Sequence, residues 1–194
     1  FDIYALYDNE NLYVAVRVTD DFVIHDSPTD APMYDDDCVH LQFDGDREVD
    51  PQAEWGPGIE WNDIHVDTNG DAGCIGCGYF GATFEWESAP GLIAGGYAIE
   101  FKISLSSIDV VDGPDTAPPA PGDYIGFNVT LEDDDNGGEG YNTGNAQEPS
   151  DNYGRWTSND AWNDSANWGL LYFEPPPPIS AVGAASWGML KQSR

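Results

Sequence analysis

Apolar side chains recur at every second position in four stretches of the chain. Leu12, Val14, Val16 and Val18 fall on one side, with Tyr13, Ala15 and Arg17 on the other. Val39, Leu41 and Phe43 alternate with Cys38, His40 and Gln42. Tyr97, Ile99, Phe101, Ile103 and Leu105 alternate with Ala98, Glu100, Lys102 and Ser104. Ile125, Phe127, Val129 and Leu131 alternate with Gly126, Asn128 and Thr130. A strand projects successive side chains to opposite faces, so each stretch predicts a half-buried strand. Weaker strand patterns cover 1–7, 59–66, 79–87 and 168–173. Asp8-Asn9-Glu10-Asn11 has the composition of a hairpin turn between the first two strands. Ser106-Ser107-Ile108 allows one helical turn at most. Eight short strands joined by polar loops predict an all-β fold, a two-sheet antiparallel β-sandwich or jelly roll.

The polar segments divide the chain. Asp26 to Pro32 is a Pro-bounded loop, and Gly113 to Gly122 holds four prolines. Asp133 to Asp151 is a long Gly/Asn/Asp loop, of the kind that is often functional or ordered by an ion. Glu174 to Pro178 closes the domain, with residues 175–178 forming a stiff polyproline spacer. Residues 179–194 form an Ala/Gly/Ser-rich tail with two basic residues and no acid. The expected organisation is a sandwich over 1–174, the spacer, and the C-terminal tail.

Composition narrows the partners. The 194 residues include 36 acidic and 6 basic side chains, a net charge of −30. Such a surface repels nucleic-acid phosphates and anionic lipid. No apolar run approaches the ~20 residues of a membrane span. A chain of this length buries roughly 70% of its unfolded surface, so it needs no metal or disulfide merely to fold. With 7 Trp, 10 Tyr, 8 Phe, 22 Gly and 14 Pro, aromatics and turn formers dominate, as in all-β proteins. The excess of carboxylates fits calcium ligation, salt adaptation or a solvated extracellular surface. Acid pairs are too abundant to mark a catalytic dyad, and His25, His40 and His65 have no nucleophile motif beside them, so no enzyme activity is expected.

Five segments occur in a telling order: ALYDNENLYVAVRVTDD (Ala5–Asp21), DDDCVHLQFDGD (Asp35–Asp46), GYAIEFKISLSSI (Gly96–Ile108), PGDYIGFNVTLEDDD (Pro121–Asp135) and WGLLYF (Trp168–Phe173). Together, over roughly residues 1–174, they resemble the family 9 carbohydrate-binding modules. That group is similar in fold to the haem- and sugar-binding domains of dopamine β-monooxygenase N-terminal type. The resemblance implies a secreted β-sandwich, frequent calcium binding, and sugar recognition by aromatic side chains. A pyranose stacks its C–H face on such a ring while its hydroxyls seek planar polar partners. Tyr34 and Trp162 stand where the resemblance places two stacking aromatics, and Asn159 where it places an amide. Trp156 and Tyr153 share that loop and could widen the platform, whereas Trp86 and Trp168 fall in strand runs and are expected to fill the core. His40 replaces the Glu of the family's Asp-(Asp/Ser)-Val-Glu pattern, which removes a carboxylate that could bridge sugar hydroxyls. Family members usually carry a further segment upstream of the position of Phe1. The resemblance therefore implies either that the sequence is a fragment lacking its N-terminal strand or that the open sheet edge is paired by something else, and the edge is expected to be covered.

Two kinds of ion site are suggested by the residues. Asp67, Asn69 and Asp71 offer oxygens at alternate positions around Gly70, like the start of a calcium loop. Asp133 and Asp135 lie in a second acidic run, with Asp20-Asp21 and Asp44/Asp46 as further candidates. Of the three cysteines, Cys74 and Cys77 can close a small disulfide, or one of them can reach Cys38. Cys38, His40, Cys74 and Cys77 also make up a Cys₃His zinc set, ranked below the disulfide because oxidising compartments favour disulfides. Gly78 follows Cys77 where covalent haem attachment needs His, so zinc and haem are both disfavoured as cofactors and calcium is expected. The chain thus reads as an extracellular, non-catalytic carbohydrate-binding module. The alternative is a filament or surface-layer subunit that binds copies of itself through the first strand's edge and the 179–194 tail.

Overall fold

The computed structural model describes residues 1–23, 25, 36–45, 62–75, 84–110, 118–133, 152–155 and 168–175. Ten strands and one helix are found among them: β1 (Asp2–Tyr7), β2 (Asn11–Thr19), β3 (Cys38–Asp44), β4 (Asn62–Asp67), β5 (Ala72–Ile75), β6 (Trp86–Ile93), β7 (Gly96–Ser104), α1 (Leu105–Val110), β8 (Tyr124–Asp133), β9 (Asn152–Arg155) and β10 (Gly169–Tyr172). Sheet A runs β1-β2-β7-β6 and sheet B runs β10-β8-β3-β4-β5, every pair antiparallel. Strand β9 pairs with the last third of β8 and β10 with its start, so the two follow each other along β8.

The alternating apolar positions face inward, as their spacing demands. Leu12, Val14 and Val16 of β2 and Ile99, Phe101 and Ile103 of β7 form one core with Val39, Leu41 and Phe43 of β3, Ile64 and Val66 of β4, and Ile125, Phe127 and Val129 of β8. The rings of Phe43 and Phe127 lie 5.4 Å apart at its centre. Each such side chain contributes roughly 1.5–3 kcal/mol by leaving water. Trp168 is buried, as expected, and Trp86 is half-buried against the core, 6.4 Å from Phe101. The first turn also forms as the sequence implies. Asp8 N–H donates to Asn11 O, and Asp8 Oδ1 accepts from the amides of Glu10 and Asn11.

The structure departs from the sequence pattern at short or irregular elements. Among the described residues there are ten strands in place of the expected eight, because β5 and β9 have only four residues each and show no alternation to read. Of the strand expected over 79–87, residues 79–83 lie outside the described residues, and Trp86 and Glu87 open β6, which runs Trp86–Ile93. Its Ser88-Ala89-Pro90-Gly91 reads as a turn, yet Pro90 is tolerated because β6 is the edge of sheet A. Helix α1 runs six residues rather than a single turn. Its start is held by Ser107 Oγ, which donates to Ser104 O.

The end of the sandwich is fastened to both sheets. Phe173 N–H donates to Asp123 O, Gly122 N–H donates to Phe173 O, and Tyr7 Oη donates to Glu174 O. Residues 176–194, and with them most of the spacer and the whole tail, lie outside the described residues. Strand β1 is an edge of sheet A, with Tyr4 and Leu6 exposed. Among the described residues no helix is long and apolar enough to cross a membrane.

The β6–β7 hairpin is the tightest passage of the backbone. Gly96 has φ +141°, and a Cβ there would stand 2.1 Å from Val18 O. Gly96→Ala therefore forces the hairpin away from β2. The expected cost is about 3 kcal/mol, since backbone must shift as well as adopt a disfavoured conformation. Urea unfolding of this variant against Gly91→Ala, where a Cβ meets nothing within 4 Å, measures it.

Candidate functional site

Strand alternation puts a second, polar set of side chains on the opposite face of sheet B. Cys38, His40 and Gln42 on β3 stand opposite Asp67, His65 and Asp63 on β4, and opposite Glu132, Thr130 and Asn128 on β8. All nine are buried. The corresponding face of sheet A is ordinary solvated surface, with exposed Arg17, Glu87 and Glu100 and an ion pair between Lys102 and Glu87. The two outer faces therefore differ in kind.

The polar residues of sheet B satisfy one another in a row. Asn128 Nδ2 donates to Gln42 Oε1 at 2.7 Å, and Gln42 Nε2 donates to Asp63 Oδ2 at 3.2 Å. His40 Nδ1 lies 3.1 Å from Asp63 Oδ1 and 3.3 Å from its Oδ2. His65 packs beside His40 with ring centroids 5.0 Å apart, and its Nδ1 is 3.8 Å from Asp63 Oδ1. Burial alone would strip the charge from both members of the central pair. The attraction between His40 and Asp63 outweighs it, raising the imidazole well above its ordinary value and holding the Asp63 carboxyl below its own. Cys38 flanks the ring, and burial pushes its thiol upward, so it is an unreactive thiol.

Two further clusters sit where loops meet the strands. His25 Nδ1 is 3.2 Å from both Asp36 Oδ2 and Asp67 Oδ2. Asp20, Asp37 and Asp133, from the end of β2, the start of β3 and the end of β8, bring one carboxylate oxygen each to within 4.8 Å of the others. The buried Asp20 Oδ2 has no hydrogen-bond partner among the described residues.

The sequence-derived candidates distribute as follows. Asp133 joins Asp20 and Asp37, whereas Asp135 lies outside the described residues. Asp67 caps its own turn, its Oδ1 accepting from the amides of Asn69, Gly70 and Asp71. Its other oxygen faces His25, while Asn69 and Asp71 are exposed. Cys74 is disulfide-bonded and Cys38 is free. That overturns both a Cys38 disulfide and the Cys₃His zinc set, since a thiol in a disulfide offers no thiolate ligand. Cys77, Tyr34, Trp156, Asn159 and Trp162 lie outside the described residues, as does the side chain of Tyr153. The backbone of Tyr153 pairs with Glu132, which pairs in turn with Cys38, so β9 and the start of β3 meet at one end of sheet B. Sequence reasoning missed Asp63, His65, Gln42, Asn128 and Thr130 as site residues. Their signal was the choice of amide, hydroxyl and imidazole groups at the outward positions of central strands, where a solvated face carries Lys and Glu.

A groove of about 830 Å³ opens at the far side of the molecule, lined by Asn11, Phe84, Trp86, Lys102, Leu105 and Pro119 among others. It belongs to the sheet A side and is remote from the polar row. Its aromatics pack inward, Phe84 fully and Trp86 in part. For that reason the polar face of sheet B is the better site.

The His40–Asp63 pair makes a pH prediction for the chelator-treated protein. A raised imidazole adds stability that is complete below the ordinary histidine value of ~6.5 and lost as pH rises through the folded value. Asp63→Asn should cost about 2 kcal/mol near pH 6 by removing the counter-charge, and the cost should shrink as pH rises. Urea unfolding of both proteins in EDTA across this range checks it. A cost that does not change with pH would show that the pair is not ionised.

The family described as "Carbohydrate family 9 binding domain-like" matches residues 2–174. No curated protein matches the sequence. Among solved structures, a family 9 carbohydrate-binding module from Caldicellulosiruptor kristjanssonii in complex with cellotriose superposes with a TM-score of 0.63 at 16% identity, covering 95% of this chain and 80% of that one. The same description in complex with glucose gives 0.62 at 18% identity, covering 90% and 76%. At these identities the structures establish the shared fold, and the match over residues 2–174 establishes descent: the chain belongs to the carbohydrate family 9 binding domain-like family.

Proposed function

We propose that the chain is a non-catalytic carbohydrate-binding module that works outside the cell and is stabilised by calcium. Family membership supports the class, and the neighbours from Caldicellulosiruptor kristjanssonii hold cellotriose and glucose. The observation that carries the reading is the buried polar row of sheet B. It is a preorganised floor of planar groups (Asn128, Gln42 and Asp63) at the sheet whose strands carry the loop candidates. Tyr34 precedes β3, Tyr153 lies in β9, and Trp156, Asn159 and Trp162 fall between β9 and β10. A sugar would stack between Tyr34 and Trp162, with Asn159 taking hydroxyl hydrogen bonds and Trp156 and Tyr153 extending the platform. The Cys74 disulfide supports an oxidising compartment.

Calcium fits Asp20, Asp37 and Asp133. Hard cations prefer carboxylate oxygens, and the unpartnered Asp20 Oδ2 is an oxygen lacking a donor. Such an ion would tie the end of β2 in sheet A to β3 and β8 in sheet B, fixing the end of the sandwich where β9 begins.

Isothermal titration of the full chain with glucose, cellotriose and a panel of other oligosaccharides tests the reading. Saturable binding is expected for at least one sugar, weakened about tenfold or more by Trp162→Ala, equivalent to ~1.4 kcal/mol. Failure of every sugar, or binding indifferent to both Trp162→Ala and Tyr34→Ala, would contradict it. In parallel, Ca²⁺ should raise the melting temperature over EDTA in the parent protein and not in Asp37→Asn. An equal rise in both would remove this cluster as the calcium site.

A further inference from the structure

The polar row contains imidazole nitrogens that neither the proposed sugar platform nor calcium uses. His40 and His65 are direct cross-strand partners, and Asp63 is two residues before His65 on the same face of β4. The three offer His40 Nδ1, Asp63 Oδ1 and His65 Nδ1. These are separated by 3.1 Å between His40 and Asp63 and by 3.8 Å between His65 and Asp63, and one ligand atom from each residue lies within 4.8 Å of the others. Metal–ligand bonds of 2.0–2.1 Å in tetrahedral array place ligand atoms about 3.3 Å from one another. The observed spacings bracket that edge.

Hydrogen bonding alone leaves this cluster incomplete. Asp63 takes His40 and Gln42, and His65 Nδ1 stays buried with no hydrogen-bond partner among the described residues, its residue being only 8% exposed. His40 Nε2 is likewise buried without a hydrogen bond among the described residues, and Glu132 Oε1 lies 3.9 Å from it. That is the side from which a carboxylate orients a histidine whose other nitrogen holds a metal. Two imidazoles and one carboxylate are the donor set of zinc-class ions rather than of calcium or magnesium, which prefer oxygen throughout. Three protein ligands with one position left over is also the arrangement of zinc sites that keep an exchangeable ligand.

We propose that His40, Asp63 and His65 bind a divalent transition metal of the Zn²⁺ class. The site differs from the Cys₃His set suggested by the sequence. It uses His40 with two residues of β4 and no disulfide cysteine. It is also independent of the Asp20, Asp37 and Asp133 cluster, and it shares Asp63 with the floor proposed for the sugar site.

The test uses the full chain, untagged and stripped with EDTA. Zn²⁺ is titrated calorimetrically, and Co²⁺ is followed by its visible absorption. The expected result is one equivalent of either ion, with the intense visible bands of four-coordinate Co²⁺, not displaced by excess Ca²⁺. His65→Gln and Asp63→Asn should each weaken Zn²⁺ at least tenfold. Because a buried substitution can unfold the chain, the parent protein carries a second readout, ¹⁵N spectra of the histidine rings. Zn²⁺ should shift the ring nitrogens of His40 and His65 and leave those of His25 unchanged. No stoichiometric binding, undiminished binding in a folded His65→Gln, displacement by Ca²⁺, or a response confined to His25 would each overturn the proposal.

Discussion

Burial of one face of each sheet against the other governs everything else in this molecule. Val14, Val16, Ile99 and Phe101 from sheet A meet Leu41, Ile64, Phe127 and Val129 from sheet B. Because strand side chains alternate, committing those residues to the core commits His40, Gln42, Asp63, His65, Asn128 and Thr130 to the opposite face together. A slip of one residue in β3 would send Leu41 outward and His40 into the core. The hydrophobic cost of that exchange fixes the register, and the register assembles the polar row. The polar chemistry of this face is a by-product of the packing on the other.

The polar row itself is held by competition between burial and pairing. Desolvation opposes charge on both His40 and Asp63, and their mutual attraction prevails. Gln42 and Asn128 extend the pair into neutral hydrogen bonds, so one charge centre is spread over three strands. Such a network is worth most when complete, since each buried group left unpaired costs about 1–3 kcal/mol. Among the described residues, His40 Nε2 and His65 Nδ1 are the buried nitrogens of the row without a hydrogen bond.

Much of the architecture was legible in the sequence, for a physical reason. Strands β2, β3, β7 and β8 are long enough, at seven to ten residues, for alternation to show. Strand β6 carries Pro90 and Gly91, residues that disrupt strand alternation, and its place at the sheet edge makes them acceptable. The site was legible in halves. His40, Gln42, Asn128 and Thr130 appear as the polar members of good strands. That His40 faces His65, and that Asp63 joins them, depends on pairing between segments some twenty residues apart, which no single strand encodes. The convergence of Asp20, Asp37 and Asp133 depends likewise on three strand ends meeting at one end of the sandwich, and Cys38 is kept apart from Cys74 of β5 by β4, which lies between their strands.

The claim at the centre of this account is that ligand recognition belongs to sheet B. Amide chemical-shift mapping of the ¹⁵N-labelled chain, titrated with the sugar that binds it, tests this most directly. The account predicts that the perturbed amides cluster in β3, β4, β8 and β9. Perturbations concentrated in β6, β7 and α1, around the groove lined by Trp86 and Lys102, would contradict it.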